Sequence, residues 1–231
     1  MDWDRIIAHN RDALAAILAG LVALMAGRAD AALIARPLRR AVLAALRPAE
    51  AALRRLIVMV AAARGLVPQE AARRARPLPD FASLARKPRA PAFALIDPPR
   101  PPLVWRSADA GPPVRRSIPR ISLPGVSVPA FLAPARFPSV DDGETDAAAL
   151  RARLAAFSRA LGALPAEARR LARLVARRRA AGRPRAGSPL RSGRPPGHRA
   201  RPVNAADAVL ADCHYFARLC AWPPPPGRQI A

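Results

Sequence analysis

The longest stretch of uncharged residues lies near the N-terminus of the chain. Residues 13–27 are all Ala, Leu, Ile, Val, Met or Gly, and an arginine follows directly. This pattern predicts a helix, which we expect to cover residues 4–35. A bilayer core usually needs about 20 apolar residues, but arginines at both ends of the stretch can reach the headgroups and Trp3 can lie at the interface. The pattern predicts that residues 13–27 form a membrane anchor.

Three other interpretations of this stretch stay open. It can be the buried helix of a small bundle, an interfacial helix in the plane of the membrane, or the apolar core of a cleaved signal peptide. The last is disfavoured because residues 1–12 hold three aspartates beside two arginines. If the helix spans, the arginines that follow it up to Arg47 outnumber those that precede it. Positive residues stay inside, so we expect an inner-membrane protein with its N-terminus outside and its body in the cytoplasm.

A second helix is predicted over residues 49–64. Pro48 and Glu50 suit the first turn of a helix, and Gly65 is a typical stop. Its longest uncharged run has eight residues, too few to cross a bilayer. We therefore expect a surface helix that lies on the bilayer or packs on the first helix, within an N-terminal region covering residues 1–65.

Proline dominates the middle of the chain. Residues 77–138 contain fifteen prolines, which lack a backbone donor and interrupt helices. The composition predicts a disordered linker over residues 66–140. Within it, residues 118–131 alternate apolar and small side chains, so this stretch can alternatively add as a strand to a partner's sheet.

Two amphipathic stripes follow the linker. The first has apolar residues at helical spacing: Leu150, Leu154, Phe157 and Leu161. The second begins after Pro165. Two stripes joined by a short turn predict an αα-hairpin over residues 141–181, and the acidic residues at its start complement the helix dipole.

The C-terminal part is predicted as an Arg/Gly/Pro-rich tract over residues 182–203, a helix over residues 204–222 and a tail over residues 223–231. Asn204 and Asp207 have the spacing of a capping box. The fold class is therefore mainly α, with an N-terminal hydrophobic helix, a long Pro-rich linker, a C-terminal αα-hairpin and a short terminal helix. Aromatic residues make up only 4% of the chain, so we expect no large globular core.

The chain carries a formal net charge of +23, and Lys87 is its only lysine. Arginine is encoded by GC-rich codons, so codon bias is one explanation of the charge. The densest stretch, residues 169–201, has twelve arginines, which can pair with phosphates of anionic lipid or of nucleic acid. The candidate anion-binding residues in and beside the hairpin are Arg169, Arg170, Arg173, Arg177, Arg178, Arg179, Arg191 and Arg194.

Two segments near the C-terminus carry a resemblance. The sequence PLRSGRPPGHR at Pro189–Arg199 precedes DAVLADCHYFARL at Asp207–Leu219. Behind an N-terminal hydrophobic helix, this combination resembles a group of Arg/Pro-rich, membrane-anchored proteins of high-GC bacteria. That group has no assigned function, so the resemblance implies no catalytic role for any residue.

Residues that suggest chemistry are few. Asp212, Cys213 and His214 are contiguous, but neighbouring side chains on a helix point about 100° apart, which is unsuitable for a Cys–His pair. Zinc needs four ligands at close spacing, and the two cysteines lie seven positions apart. We expect Cys213 to be a small buried side chain, and we expect no enzyme, no catalytic residue, no metal and no cofactor.

The sequence as a whole predicts a membrane-anchored, basic interaction or structural protein. Its Arg-rich cytoplasmic tail would contact anionic lipid or a protein partner. The alternative is a non-specific nucleic-acid-binding protein that uses residues 169–201. Aromatic residues that would stack on bases are missing from that stretch, so we expect no reading of base sequence.

Overall fold

The computed structural model describes residues 1–26, 32–68, 91–99, 143–182, 188–220 and 222–223. All of these except Pro99 belong to one compact unit; residue 99 belongs to a second unit, residues 99–142. The elements, in chain order, are α1 (Trp3–Ala26), β1 (Leu33–Ala35), α2 (Arg36–Ala63), β2 (Glu144–Asp146), α3 (Ala148–Gly162), α4 (Leu164–Ala180) and α5 (Ala205–Leu219). The mainly α fold class is confirmed.

The three C-terminal helices agree with the sequence prediction. The helices α3 and α4 are separated by Ala163 alone and form the predicted hairpin. At the start of α5, the side chain of Asn204 accepts a hydrogen bond from the backbone of Asp207, and the Asp207 carboxylate bonds back to the backbone of Asn204. This reciprocal pair is the predicted capping box, and it satisfies two backbone donors that the first turn leaves free.

The helix α2 forms the centre of the fold. It begins at Arg36, earlier than the predicted residue 49, and Pro48 lies inside it rather than at its start. It contacts each of the other four helices, and all residues from 51 to 61 are buried. The predicted surface position of residues 49–64 is therefore corrected: protein, rather than bilayer, covers residues 51–61, because the other four helices pack on α2.

The helix α1 runs antiparallel to α2. Its start lies near the end of α2, where a cavity of about 240 Å³ is lined by Asp4, Ile7, Val60 and the turn between α3 and α4, among others. One face of α1 packs on α2, α3 and α5, with Leu14, Leu21 and Met25 buried. By length and composition, α1 is the one helix among the described residues that can cross a membrane.

A small sheet follows α1, where the sequence suggested continued helix up to residue 35. Strand β1 pairs antiparallel with β2, and Ile34 lies opposite Thr145. The side chain of Asp146 accepts a hydrogen bond from the backbone of Ala148 at 2.8 Å, so this acid does support the start of α3 as expected. Ile34 is fully buried, which fixes the sheet to the helices.

Residues 91–98, which we call the strap, differ from the disordered linker predicted over residues 66–140. Phe93 and Leu95 of the strap are buried in the core, and Asp97 is buried with them. Most of the remaining linker, including residues 118–131, lies outside the described residues. Residues 183–187 of the Arg/Gly/Pro tract and most of the C-terminal tail also lie outside them.

Candidate functional site

Two neighbouring arginines of α2 are buried at the centre of the fold. The side chain of Arg55 is 0% exposed and that of Arg54 is 7% exposed. Burial lowers the pKa of both guanidiniums, and the negative charge of Asp97 opposes this shift. A buried charge is tolerated only when it is paired and hydrogen-bonded, so the partners of these arginines determine whether the fold is stable.

Asp97 of the strap is the shared partner. Its Oδ2 accepts a hydrogen bond from Arg55 Nη2 at 3.0 Å, and its Oδ1 lies 3.4 Å from Arg54 Nη1. The same carboxylate accepts from the backbone of Arg191 at 3.2 Å, and the backbone of Asp97 donates to the carbonyl of Pro189 at 3.0 Å. Asp97 therefore joins α2, the strap and the loop of residues 188–203, which we call the basic loop.

Arginines from three helices hold the backbone of the strap. Arg54 Nε of α2 donates to the carbonyl of Ala94 at 2.9 Å, and Arg159 of α3 donates to that of Pro91 at 2.7 Å. Arg170 of α4 donates to the carbonyl of Phe93. The guanidinium of Arg54 also lies 5.6 Å from the centroid of the Phe93 ring, a distance typical of a cation–π contact.

A second ion pair lies beside the first. Glu50 of α2 accepts two hydrogen bonds from Arg153 of α3, at 3.0 Å and 2.7 Å. This bidentate geometry is the strongest form of an arginine–carboxylate pair. The Oε2 atom of Glu50, which accepts from Arg153, also lies 3.8 Å from Arg54 Nη2, so the two ion pairs form one network that joins α2, α3 and the strap.

His214 of α5 completes the network on the opposite side of Arg55. Arg55 Nε lies 3.3 Å from His214 Nδ1. A guanidinium can only donate, so Nδ1 is the acceptor and the ring proton is on Nε2. Burial lowers the pKa of His214, and the positive charges of Arg55, Arg218 and His198 lower it further. His214 is therefore a neutral imidazole with a defined tautomer at neutral pH.

This arrangement predicts a loss of stability in mild acid. The pKa of His214 is lower in the folded than in the unfolded chain, where it is about 6.5. Above that pH, the neutral His214 contributes fully to the free energy of unfolding. We expect this contribution to decline as the pH falls further, because the imidazolium would face Arg55. Urea unfolding at pH 7.5 and pH 5.5 would measure the decline. His214→Gln should reduce the difference between the two pH values, and an unchanged difference would contradict the assignment.

The surroundings of Cys213 and Cys220 make both thiols unreactive. Cys213 is fully buried, as expected, and its thiol donates to the side-chain oxygen of Asn10 at 3.3 Å. Burial raises the pKa of Cys213 to about 12, and it raises that of half-buried Cys220 to about 11. A thiol with such a pKa is a poor nucleophile at neutral pH. Within the described residues, no three His, Cys, Asp or Glu side chains form a group suited to a metal.

The predicted anion-binding arginines separate into three sets. Arg170 pairs with Glu167 and with the strap, and Arg191 Nε donates to the carbonyl of Arg194 at 2.7 Å, so these two side chains have roles within the fold. Arg178 and Arg179 are half-buried. The others are exposed: Arg169, Arg173 and Arg177 along one face of α4, and Arg194 in the basic loop.

The central residues of the network were not predicted from the sequence. Asp97 belongs to the stretch predicted as a linker, and Arg54 and Arg55 belong to the helix predicted to lie on the bilayer or to pack on the first helix. Two signals were available: an arginine pair directly before a run of eight uncharged residues, and a short apolar segment, residues 93–97, that ends in a single acid. A lone acid in an apolar segment needs a cationic partner if it is buried.

The two segments that carry the resemblance meet at α2. Pro189 and Arg191 bond to Asp97, His214 bonds to Arg55, and Gly197 approaches the backbone of Pro48. No family model matches the chain, and no match was found among curated proteins or solved structures.

Proposed function

We propose that the chain is a membrane-bound basic interaction protein rather than an enzyme. In this proposal α1 attaches it to the bacterial inner membrane and the helical body is in the cytoplasm. One observation carries the proposal: the outer face of α1 is apolar and uncovered along its C-terminal half. The exposed residues of this face are Ala15, Ala16, Ala19, Gly20, Val22, Ala23, Leu24 and Ala26.

A helix face in contact with water normally carries charged or polar residues. On this face no residue is charged, and the two largest side chains, Val22 and Leu24, are 50% and 56% exposed. Leu33, at the start of the small sheet, is 46% exposed as well. An apolar surface of this kind on a soluble body marks an interaction with a membrane or a protein.

Positive charge close to this face favours a lipid surface. Only six residues separate the end of α1 from β1, and α2 begins directly after β1. The exposed arginines Arg39 and Arg40 in the first turns of α2 are therefore close to the end of α1. Each basic residue near an anionic bilayer contributes about 1 kcal/mol of attraction. Because the opposite face of α1 packs on the body, we propose that α1 lies in the interface, with its outer face in the lipid.

Substitution on the outer face tests the proposal. Ala19→Asp combined with Ala23→Asp places two carboxylates at the centre of the face without removing a packed side chain. A charged residue in the lipid costs about 2.5–3.5 kcal/mol at full depth, so we expect the membrane-bound fraction to fall by about tenfold. The measurement is fractionation of expressing cells, with and without high salt, of the full chain carrying a cytoplasm-dependent fluorescent tag at its C-terminus.

The matched control is Ala149→Asp with Ala155→Asp, two exposed positions on α3. This pair changes the net charge equally and should leave the protein in the salt-resistant membrane pellet. Recovery of the unsubstituted chain in the soluble fraction under high salt would overturn the proposal. If the membrane-bound protein carried a non-fluorescent tag, the cytoplasmic position of the body would be overturned, and the membrane attachment would stand.

A second candidate function is non-specific binding of nucleic acid. It is favoured by the exposed α4 arginines Arg169, Arg173 and Arg177, which are four residues apart and share one helix face. Such a face can bind phosphates by counterion release, which makes binding strongly salt-dependent. Release of the chain from the pellet by salt or nuclease, with no effect of the α1 substitutions, would favour this candidate over the membrane.

A further inference from the structure

The imidazole of His214 presents one fixed donor. Its Nδ1 accepts from Arg55 inside the fold, so its Nε2–H group points away from Arg55, and the side chain is half-buried. Among the described residues, no acceptor for this N–H group was found. The donor is held by two successive contacts, because Arg55 is itself fixed by Asp97 at 3.0 Å.

Two basic side chains lie near this imidazole. Arg218 lies one helical turn after His214 on α5, where side chains four positions apart are neighbours. His198 belongs to the basic loop, whose position is fixed where Gly197 touches the backbone of Pro48, and its charge acts on His214 together with that of Arg218. Asp97 is the one carboxylate whose charge acts in the opposite sense, and its oxygens already bond to arginines and to the loop backbone.

We propose that His214, Arg218 and His198 form a binding site for a phosphate group. The oriented Nε2–H group and the Arg218 guanidinium supply directional donors to a tetrahedral anion with several acceptor oxygens. His198 adds a third donor. The buried Arg55–Asp97 pair is a positioning element: Asp97 fixes Arg55, and Arg55 sets the tautomer of His214.

The ligand is a phosphate group that carries at least one negative charge, either on a soluble phosphate monoester or on a lipid headgroup. The site does not depend on attachment through α1, because it uses α5 and the basic loop. Phosphate binding in solution therefore tests this site separately from the proposed membrane function.

The test uses the full chain labelled with ¹⁵N at histidine. Inorganic phosphate is titrated at pH 7.5 while long-range ¹H–¹⁵N spectra follow the imidazole nitrogens, with chloride at equal ionic strength as the reference. We expect a saturable shift at Nε2 of His214, with its Nδ1 remaining an acceptor. Arg218→Gln should weaken phosphate binding by about tenfold, as expected for loss of a charged hydrogen bond, while Arg169→Gln on α4 removes the same charge and should have no effect.

Vesicles distinguish the two sources of phosphate. Phosphatidylcholine vesicles with and without phosphatidic acid are compared using the unsubstituted chain and Arg218→Gln. If Arg218→Gln weakens binding to phosphatidic acid vesicles more than it weakens binding to free phosphate, the ligand is a lipid headgroup. If it weakens both equally, the ligand is a soluble phosphate. Either result supports the site. A shift no larger than that caused by chloride, or equal losses in Arg218→Gln and Arg169→Gln, would overturn it.

Discussion

Replacing Asp97 with alanine is expected to destabilise the folded chain by about 3–5 kcal/mol, the usual cost of leaving a buried charge without its partner. The substitution removes a carboxylate that Arg54, Arg55 and the backbone of Arg191 all contact. Arg54 keeps Glu50 and the carbonyl of Ala94 as partners, so Arg55 bears most of the loss. Urea denaturation followed by circular dichroism measures the change in the free energy of unfolding.

Two controls separate this effect from a general loss of negative charge. Asp212→Ala removes an exposed acid of α5 and should change the stability by no more than about 0.5 kcal/mol. The double variant Arg55→Met with Asp97→Leu removes both buried charges and should be more stable than Asp97→Ala alone, because no orphaned ion remains. Equal stability of Asp97→Ala and Asp212→Ala would show that the buried ion pair is unimportant.

Gly197→Ala is expected to cost about 2–4 kcal/mol, the sum of backbone strain and overpacking. Gly197 has a φ of +81°, which side chains with a Cβ rarely adopt. A Cβ at this position would lie 2.8 Å from the backbone nitrogen of Pro48 and 3.0 Å from its Cα. Since both are backbone atoms of the central helix, neither can move aside cheaply.

Gly65→Ala is the matched control. Gly65 also has a positive φ, +59°, but nothing lies within 4 Å of its added Cβ. Its substitution therefore reports the cost of the backbone conformation alone, about 1 kcal/mol. Thermal or urea unfolding of both variants gives the difference, which measures the contact with α2. If the two variants lose the same stability, the basic loop does not pack against Pro48 in solution.

The helices with local signals were predictable from the sequence. Apolar residues at helical spacing identified α3 and α4, and the Asn204–Asp207 pair identified the start of α5. Each of these signals lies within a few residues of the element that it predicts, so no knowledge of the tertiary structure is needed. The helical part of the N-terminal apolar stretch was predictable for the same reason.

The central position of α2 and the network around Arg55 were not predictable in this way. A proline such as Pro48 normally marks a helix start, but here the helix continues on both sides of it. Packing against the other helices stabilises α2 in spite of the hydrogen bond that Pro48 cannot donate. The strap is a short segment within a proline-rich stretch, and the partners of Asp97 lie far from it in sequence. Of the proposed anion-binding arginines, Arg170 and Arg191 have internal contacts that only the folded chain reveals.

The strap has a consequence for the order in which the chain can fold. Asp97 meets Arg55 across 42 residues and Arg191 across 94, whereas α3 and α4 meet across a single residue. Contacts between distant residues require large loops to close before they contribute any stability, so they form slowly. We therefore expect the hairpin to form early, and the buried charges to come together late, when the strap closes over the helices.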